Sequence, residues 1–187
     1  MRFRFFVLVL LGLLGVSEVH AASVGSIVSN VRLGWGASRL AVDTGGQHAP
    51  GWSLVTGYEV NPYISGELSY LTTNGDSFSV AKATTGGTEV STVSNHYWNL
   101  SALGAWPFND TYSAIVRVGM LSFSGDSVIT QGSTVTRSKI SGNELFYGVG
   151  GAYTIGNGSL RLEYQRSSLF QHTVTSIGFS AVWKLRK

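Results

Sequence analysis

The chain has 187 residues, of which 43% are hydrophobic and only 12% charged, and it carries a formal net charge of +3 and no cysteine. A chain without cysteine has no disulfides or thiol chemistry, and its few Lys and Arg residues are too scattered to form a nucleic-acid-binding surface. The hydrophobic fraction is too high for disorder, so one folded domain is expected.

The N-terminus has the three parts of a secretory signal peptide. Residues 1–4 are cationic, residues 5–16 form an apolar run, and Val19 and Ala21 supply the small residues that signal peptidase prefers. A run of about twelve residues is too short for a spanning helix, which needs roughly twenty, and this disfavours an uncleaved membrane anchor. We therefore predict a signal peptide at residues 1–21, cleaved after Ala21, and a mature domain at residues 22–187.

Beyond Val28, apolar and polar side chains alternate with a period of two, which predicts strands of a sheet with one apolar and one polar face. In the second such segment, one face carries Trp52, Leu54, Thr56 and Tyr58, and the other carries Ser53, Val55, Gly57 and Glu59. Eight segments show the pattern: residues 28–37, 51–60, 63–72, 95–106, 111–123, 143–155, 159–168 and 174–185.

The connections between these segments alternate in length. Short ones lie at residues 61–62, 107–110 and 156–158, and longer ones lie near residues 38–50, 73–94, 124–142 and 167–173. Strands that run up and down place all short turns at one end, as outer-membrane barrels do with their periplasmic turns. The sequence therefore predicts an all-β fold, an eight-stranded antiparallel up-and-down transmembrane β-barrel with both termini periplasmic.

The charged residues of the strands fall on the polar face: Arg32, Glu67, Arg117, Arg161 and Glu163. An Arg facing lipid at mid-depth costs roughly 2–4 kcal/mol, so this face is expected to line the lumen. There these residues form either ion pairs that hold the barrel closed or a charged gate that leaks ions. A soluble secreted β-barrel, with its apolar face inside, is the alternative that alternation alone leaves open.

Aromatic residues of the apolar face cluster near the strand ends, as interfacial belts do in membrane proteins. Near the long connections lie Trp52, Tyr70, Trp98, Phe123, Tyr147 and Tyr164, and near the short turns lie Tyr58, Trp106, Tyr112, Tyr153 and Trp183.

Three segments resemble the strands of the small OmpA-like outer membrane proteins. They are Gly57–Tyr63 with Gly66–Tyr70, Leu162–Gln165 after a Gly-Asn-Gly turn, and Gly178–Leu185 at the end. The resemblance implies an outer membrane β-barrel domain that binds no cofactor, contacts outer membrane lipid and lipopolysaccharide, and is assembled by the outer-membrane insertion machinery. One departure concerns assembly: Leu185 stands where the family has a terminal aromatic, and Arg186 and Lys187 follow it.

Catalytic and metal-binding motifs were not found. His20, His48, His96 and His172 lack metal-ligand spacing, so no metal is expected. Ser167 or Ser168 with His172 and Glu163 has the residue types for acyl transfer, but the His-x-Ser spacing expected of lipid A deacylase barrels is missing.

The leading functional hypothesis is therefore a non-enzymatic structural or surface-interaction protein whose external loops contact a host or cell-surface ligand. A small ion-leaky pore, a lipid A-modifying enzyme and a soluble secreted β-protein are the alternatives.

Overall fold

A computed structural model of the protein describes residues 30–42, 48–73, 79–84, 87–131, 134–169 and 172–185. The predicted signal peptide, residues 28 and 29 of the first predicted strand, and the Arg186-Lys187 tail lie outside these ranges. Within them, no helix is long and apolar enough to cross a membrane.

The described ranges form nine antiparallel strands. They are β1 (Val31–Val42), β2 (His48–Asn61), β3 (Ile64–Thr73), β4 (Ser79–Thr84), β5 (Gly87–Pro107), β6 (Tyr112–Gln131), β7 (Thr134–Ile155), β8 (Gly158–Leu169) and β9 (His172–Lys184). Because β3 pairs with β5 and β1 pairs with β9, eight strands close into a barrel and β4 stays outside it. The predicted closed eight-stranded antiparallel barrel is confirmed.

The stagger of the barrel follows from the pairing around it. The path that starts at Arg32 of β1 runs through Gly57, Glu67, Ser101, Gly119, Phe146, Ser167 and Val174 and returns to β1 at Val42. The return point lies ten residues along β1. With about 3.3 Å per residue and about 4.8 Å between strands, this stagger tilts the strands by about 40° from the barrel axis.

All three short turns lie at one end of the barrel, which we call the short-turn end. Asn109 Oδ1 accepts hydrogen bonds from the backbone N–H groups of Thr111 (2.9 Å) and Tyr112 (2.8 Å), and this fixes the β5–β6 turn. In the β7–β8 turn, Gly156 has a φ of 56°, a left-handed conformation that favours glycine. β1 begins and β9 ends at this end, since Arg32 pairs with Lys184.

The predicted loops at residues 73–94 and 124–142 are wrong, because both segments contain strands. β6 and β7 pair without interruption from Tyr112 opposite Tyr153 to Gln131 opposite Thr134, and β4 pairs with residues 87–92 of β5. These segments are rich in Ser, Thr and Val, which suit strands but show no apolar face because the sheet has left the barrel. Four strands thus extend beyond the barrel as a sheet, the fin: β4 with residues 87–93, 125–131 and 134–141.

Side chains alternate between the lumen and the outer face as the pattern predicts. In β2, Trp52, Leu54 and Thr56 are exposed on the outside, whereas Glu59 is buried inside. Phe123 is a correction: it was expected on the outer face, but it is only 6% exposed and packs inside the barrel. The odd-numbered residues of β6, among them Ile115 and Arg117, all face inward, and Phe123 shares their parity.

Candidate functional site

The lumen is filled in layers, and the lowest layer lies at the short-turn end. Here Glu59 of β2 binds two cations, Arg32 through Oε2 and Lys184 Nζ through Oε1 at 2.7 Å. The Lys184 side chain is 41% exposed, so this layer borders the solvent at the barrel mouth. Of these three residues the sequence identified only Arg32 as a site residue. The position of Glu59 on the polar face was the available signal, and strand alternation likewise turns Lys184 inward beside the outward Trp183.

The next layer is a buried network of the other four predicted charges. Arg117 donates to both carboxylate oxygens of Glu163, from Nε at 2.7 Å and from Nη2 at 2.9 Å. Its Nη2 also lies 2.9 Å from Glu67 Oε2, and Arg161 Nη1 donates to Glu67 Oε1 at 2.7 Å. Ser101 Oγ accepts a further bond from Arg117 at 2.9 Å. Two arginines and two glutamates alternate along this chain, so their charges balance.

Glycines on neighbouring strands make room for this network. Gly57 lies opposite Glu67, and Gly148 lies opposite Arg117's position in the β6–β7 ladder. A Cβ atom at Gly57 would stand 2.9 Å from the Glu67 Cγ. A narrow barrel can hold long charged side chains only where their neighbours are small.

Above the network lies a polar cavity of about 70 Å³, and above that an apolar cap. The cavity is lined by Ser53, Ser69, Asn99 and Gln165, and its floor is the Arg117–Glu163 pair. A cavity of this size with these partners holds a few waters. The cap is the buried apolar cluster of Leu40, Ala49, Tyr97, Leu121, Phe123, Phe146 and Val174.

The outer face carries an apolar band with aromatic residues toward both ends. Trp106 is 73% exposed near the short-turn end, and Trp98 lies eight residues away on the same strand, close to the start of the fin. Eight residues correspond to about 26 Å along the strand, or about 20 Å along the axis at the tilt given above. Of the other predicted interface residues, those that are exposed are Trp52, Tyr112, Tyr153, Tyr164 and Trp183, and those that are half-buried are Tyr58 and Tyr70.

Two contacts link aromatic residues across strands. Tyr70 and Trp98 pack with ring centroids 4.9 Å apart, and the Tyr70 hydroxyl lies 2.8 Å from His96 Nδ1. At the other end, the ring centroids of Tyr112 and Tyr153 lie 5.2 Å apart. Each contact joins neighbouring strands outside the lumen.

The residues considered for acyl transfer do not come together. Ser168 is exposed on the outer face, whereas Glu163 is buried in the lumen and bound to both Arg117 nitrogens. Ser167 shares the inward face of Glu163 but lies four residues along the strand, and the His172 side chain lies outside the described residues. No group of three or more His, Asp or Glu residues in the described ranges is placed to hold a metal ion.

A closed barrel with an apolar outer band and its charges paired inside belongs to the class of outer-membrane β-barrel proteins. The chain is a member of the outer membrane protein beta-barrel domain family, whose model matches residues 6–184. This confirms the predicted family and places the protein in the outer membrane. No curated protein sequence matches the chain.

Three solved structures are similar to this fold. Ail, the attachment invasion locus protein of Yersinia pestis, in complex with the heparin analogue sucrose octasulfate, is 18% identical, with a TM-score of 0.51, and covers 82% of this chain and 95% of its own. Neisserial surface protein A is 12% identical, with a TM-score of 0.53 and coverages of 83% and 96%. The N-terminal barrel of Pseudomonas aeruginosa OprF is 12% identical, with a TM-score of 0.50 and coverages of 81% and 96%.

Proposed function

We propose that this protein is a surface-interaction protein of the outer membrane, and that its fin and external connections contact ligands outside the cell. The observation that carries the proposal is the fin. From Phe123 to Gln131, β6 continues for eight residues above the barrel, a length of about 25 Å. A rigid sheet raised above a barrel whose lumen is filled is suited to contact rather than to transport.

The proposal includes export and a defined orientation. Residues 1–21 act as a signal peptide cleaved after Ala21, and residues 22–187 form the barrel domain. Both termini and the short turns face the periplasm, and the fin faces outward, because outer-membrane barrels keep short turns on the periplasmic side. The outward aromatic residues then lie at the two lipid–water boundaries, where amphipathic rings are stabilised.

Lipopolysaccharide and the insertion machinery complete the set of proposed partners. Arg39 and Arg166 are exposed on the outer face near the fin end of their strands, and they flank β9. Guanidinium groups at that depth suit the phosphates of lipopolysaccharide. During assembly, we expect the exposed Trp183 and Leu185 of the last strand to serve as the recognition signal for the insertion machinery.

Neither the pore nor the enzyme alternative gains support from the lumen. The network and the cap lie in series across the barrel, with a cavity of only about 70 Å³ between them. The side chains that would make up a Ser-His-acid site are split between the two faces of β8. The function proposed here therefore needs neither ion conduction nor catalysis.

Envelope fractionation tests the proposal. The full-length protein should be found in the outer membrane, begin at Ala22 by N-terminal sequencing, and migrate differently on a detergent gel with and without boiling. A cysteine introduced at Ser138 in the fin should react with a membrane-impermeant maleimide on intact cells, since the chain has no cysteine of its own. Recovery in a soluble fraction, with identical migration before and after boiling, would contradict it.

A further inference from the structure

We propose that the free edge of the fin, formed by β7 between Thr134 and Leu145, binds an extended acidic segment of another protein by β-strand addition. This inference rests on the proposed function, because the fin must face the cell exterior to meet such a partner. It specifies where the contact is made and what chemistry the partner has.

The edge follows from the pairing of β7. β7 pairs with β6 over its whole length, but with β8 only from Phe146 opposite Ser167 to Ile155 opposite Gly158. Among the described residues, no strand lies against the other side of residues 134–145. A row of unpaired backbone groups of this length is a template for another strand.

The backbone groups that point out of the edge can be assigned. Thr154 donates its N–H to the Thr111 carbonyl at 2.7 Å, so even-numbered residues of β7 direct their backbone groups toward the β6 side. The β6–β7 ladder has no register shift, so this parity holds to its end. The N–H and C=O groups of the odd-numbered residues, including Arg137, Lys139 and Ser141, therefore point to the free side.

The side chains on this edge select the partner. Arg137 and Lys139 are both exposed and lie on the same face of β7, two residues apart. An added strand with carboxylates at alternate positions would place them beside these two cations, the cross-strand arrangement that favours opposite charges. The opposite face offers Thr136 and Ser138, which suit small polar residues. The edge thus fits an extended segment with Asp or Glu at every second position.

A second copy of this chain is a poorer occupant. Two upright copies in one membrane, related by a two-fold axis along the membrane normal, bring their β7 edges together in parallel. In register, Arg137 would lie beside Arg137 and Lys139 beside Lys139, and like charges directly opposite are destabilising. Glu144, the acidic residue of the edge segment, is on the other face of β7 and cannot compensate. Charged residues on a sheet edge are a known protection against self-association.

Binding of a fluorescent ten-residue peptide in which Thr alternates with Glu tests the inference. The purified full-length barrel in lipid nanodiscs should bind it, and the peptide in which Thr alternates with Lys should not bind. Arg137→Glu with Lys139→Glu should weaken binding of the acidic peptide at least tenfold and allow the basic one to bind. Ser141→Pro removes an edge N–H without touching the β6 ladder, and it should weaken binding by about tenfold, as expected for loss of one to two hydrogen bonds. Ser141→Ala, which keeps the N–H, should bind as the wild type does.

The two variants separate strand addition from simple anion binding. If the charge reversal abolishes binding while Ser141→Pro leaves it unchanged, the edge attracts anions without pairing, and sucrose octasulfate should then compete fully; this result would overturn the inference. Unchanged binding in both variants would also overturn it. If the Ser138 cysteine is labelled on intact cells but the peptide does not bind, the inference alone fails. If labelling requires opening of the outer membrane, the proposed function fails with it.

Discussion

Gly150 lies opposite Glu163 on the neighbouring strand, and a Cβ atom at Gly150 would stand 2.9 Å from the Glu163 Cα and 2.2 Å from the Leu162 carbonyl oxygen. Neither backbone atom can move without shifting β8, which carries both Arg161 and Glu163. We expect Gly150→Ala to lower the free energy of unfolding by about 1–3 kcal/mol, the usual cost of overpacking. Urea-induced unfolding in detergent micelles measures it.

Gly151→Ala is the matched control, because the nearest atom to its Cβ is the Ser113 carbonyl oxygen at 3.9 Å. It should leave stability within about 0.5 kcal/mol of the wild type, as for other unstrained surface changes. An equal loss in both variants would mean that glycine removal weakens the strand in general, and that the space beside Glu163 is not the cause.

Glu67 is the acid that two buried arginines share, so its removal should be more costly than that of Glu59. Glu67→Ala leaves Arg161 without the partner at 2.7 Å and Arg117 with Glu163 alone. Removing one partner of a buried ion pair costs about 3–5 kcal/mol. Glu59→Ala should cost less, because Lys184 at the barrel mouth reaches water. Unfolding by urea compares the two.

The double variant Glu67→Ala, Arg161→Ala provides the control for charge imbalance. It removes one cation with one anion and leaves the Arg117–Glu163 pair in place. We expect it to recover part of the stability that Glu67→Ala loses. A double variant less stable than both single variants would show that packing volume, and not an unpaired charge, dominates this layer.

Sequence reasoning identified the eight barrel strands, because side chains of a half-buried strand must alternate. It could not assign the partners of the charges. Glu67 on β3 and Arg161 on β8 are not on neighbouring strands and meet only because the barrel closes with a stagger of ten residues. That stagger depends on the pairing of every strand and leaves no local trace in the sequence.

The fin was missed for a different reason. Residues 124–142 contain Val128 and Val135 among Ser, Thr and Gly, so they have the backbone preference of strands without an apolar face. Apolar alternation reports contact with lipid or a core, and it ends where the sheet leaves the barrel. A strand that is paired on its backbone but wet on both faces looks like a loop to this kind of reasoning.

The tryptophans provide a test of depth in the membrane. On β1, Leu33 pairs with Trp183 and Ala37 pairs with Trp52, and Trp35 lies midway between these two levels on the exposed outer face. In variants that keep a single tryptophan, lipids brominated deep in the acyl chain should quench Trp35 most strongly. Lipids brominated near the headgroup should quench Trp98 and Trp106 most strongly, since aromatic belts lie at the boundaries.

Tryptophan to phenylalanine replacements keep the apolar face in these single-tryptophan proteins. Equal quenching of Trp35, Trp98 and Trp106 at every bromine depth would contradict the proposed position of the bilayer. Strong quenching of Trp106 by deep bromines alone would shift the bilayer toward the short turns.

The two barriers in the lumen predict that the barrel does not conduct ions. The Arg117–Glu163 pair closes the floor of the cavity, and Leu121 and Phe146 of the cap close its upper side. The wild-type protein should therefore give no steady current in planar bilayers. Arg117→Ser with Glu163→Ser removes one barrier while keeping the charge balance, and it should still give no steady current because the cap remains. Adding Phe146→Ser should produce measurable conductance. Steady channels in the wild type would show that the lumen opens in the membrane and would favour the pore function instead.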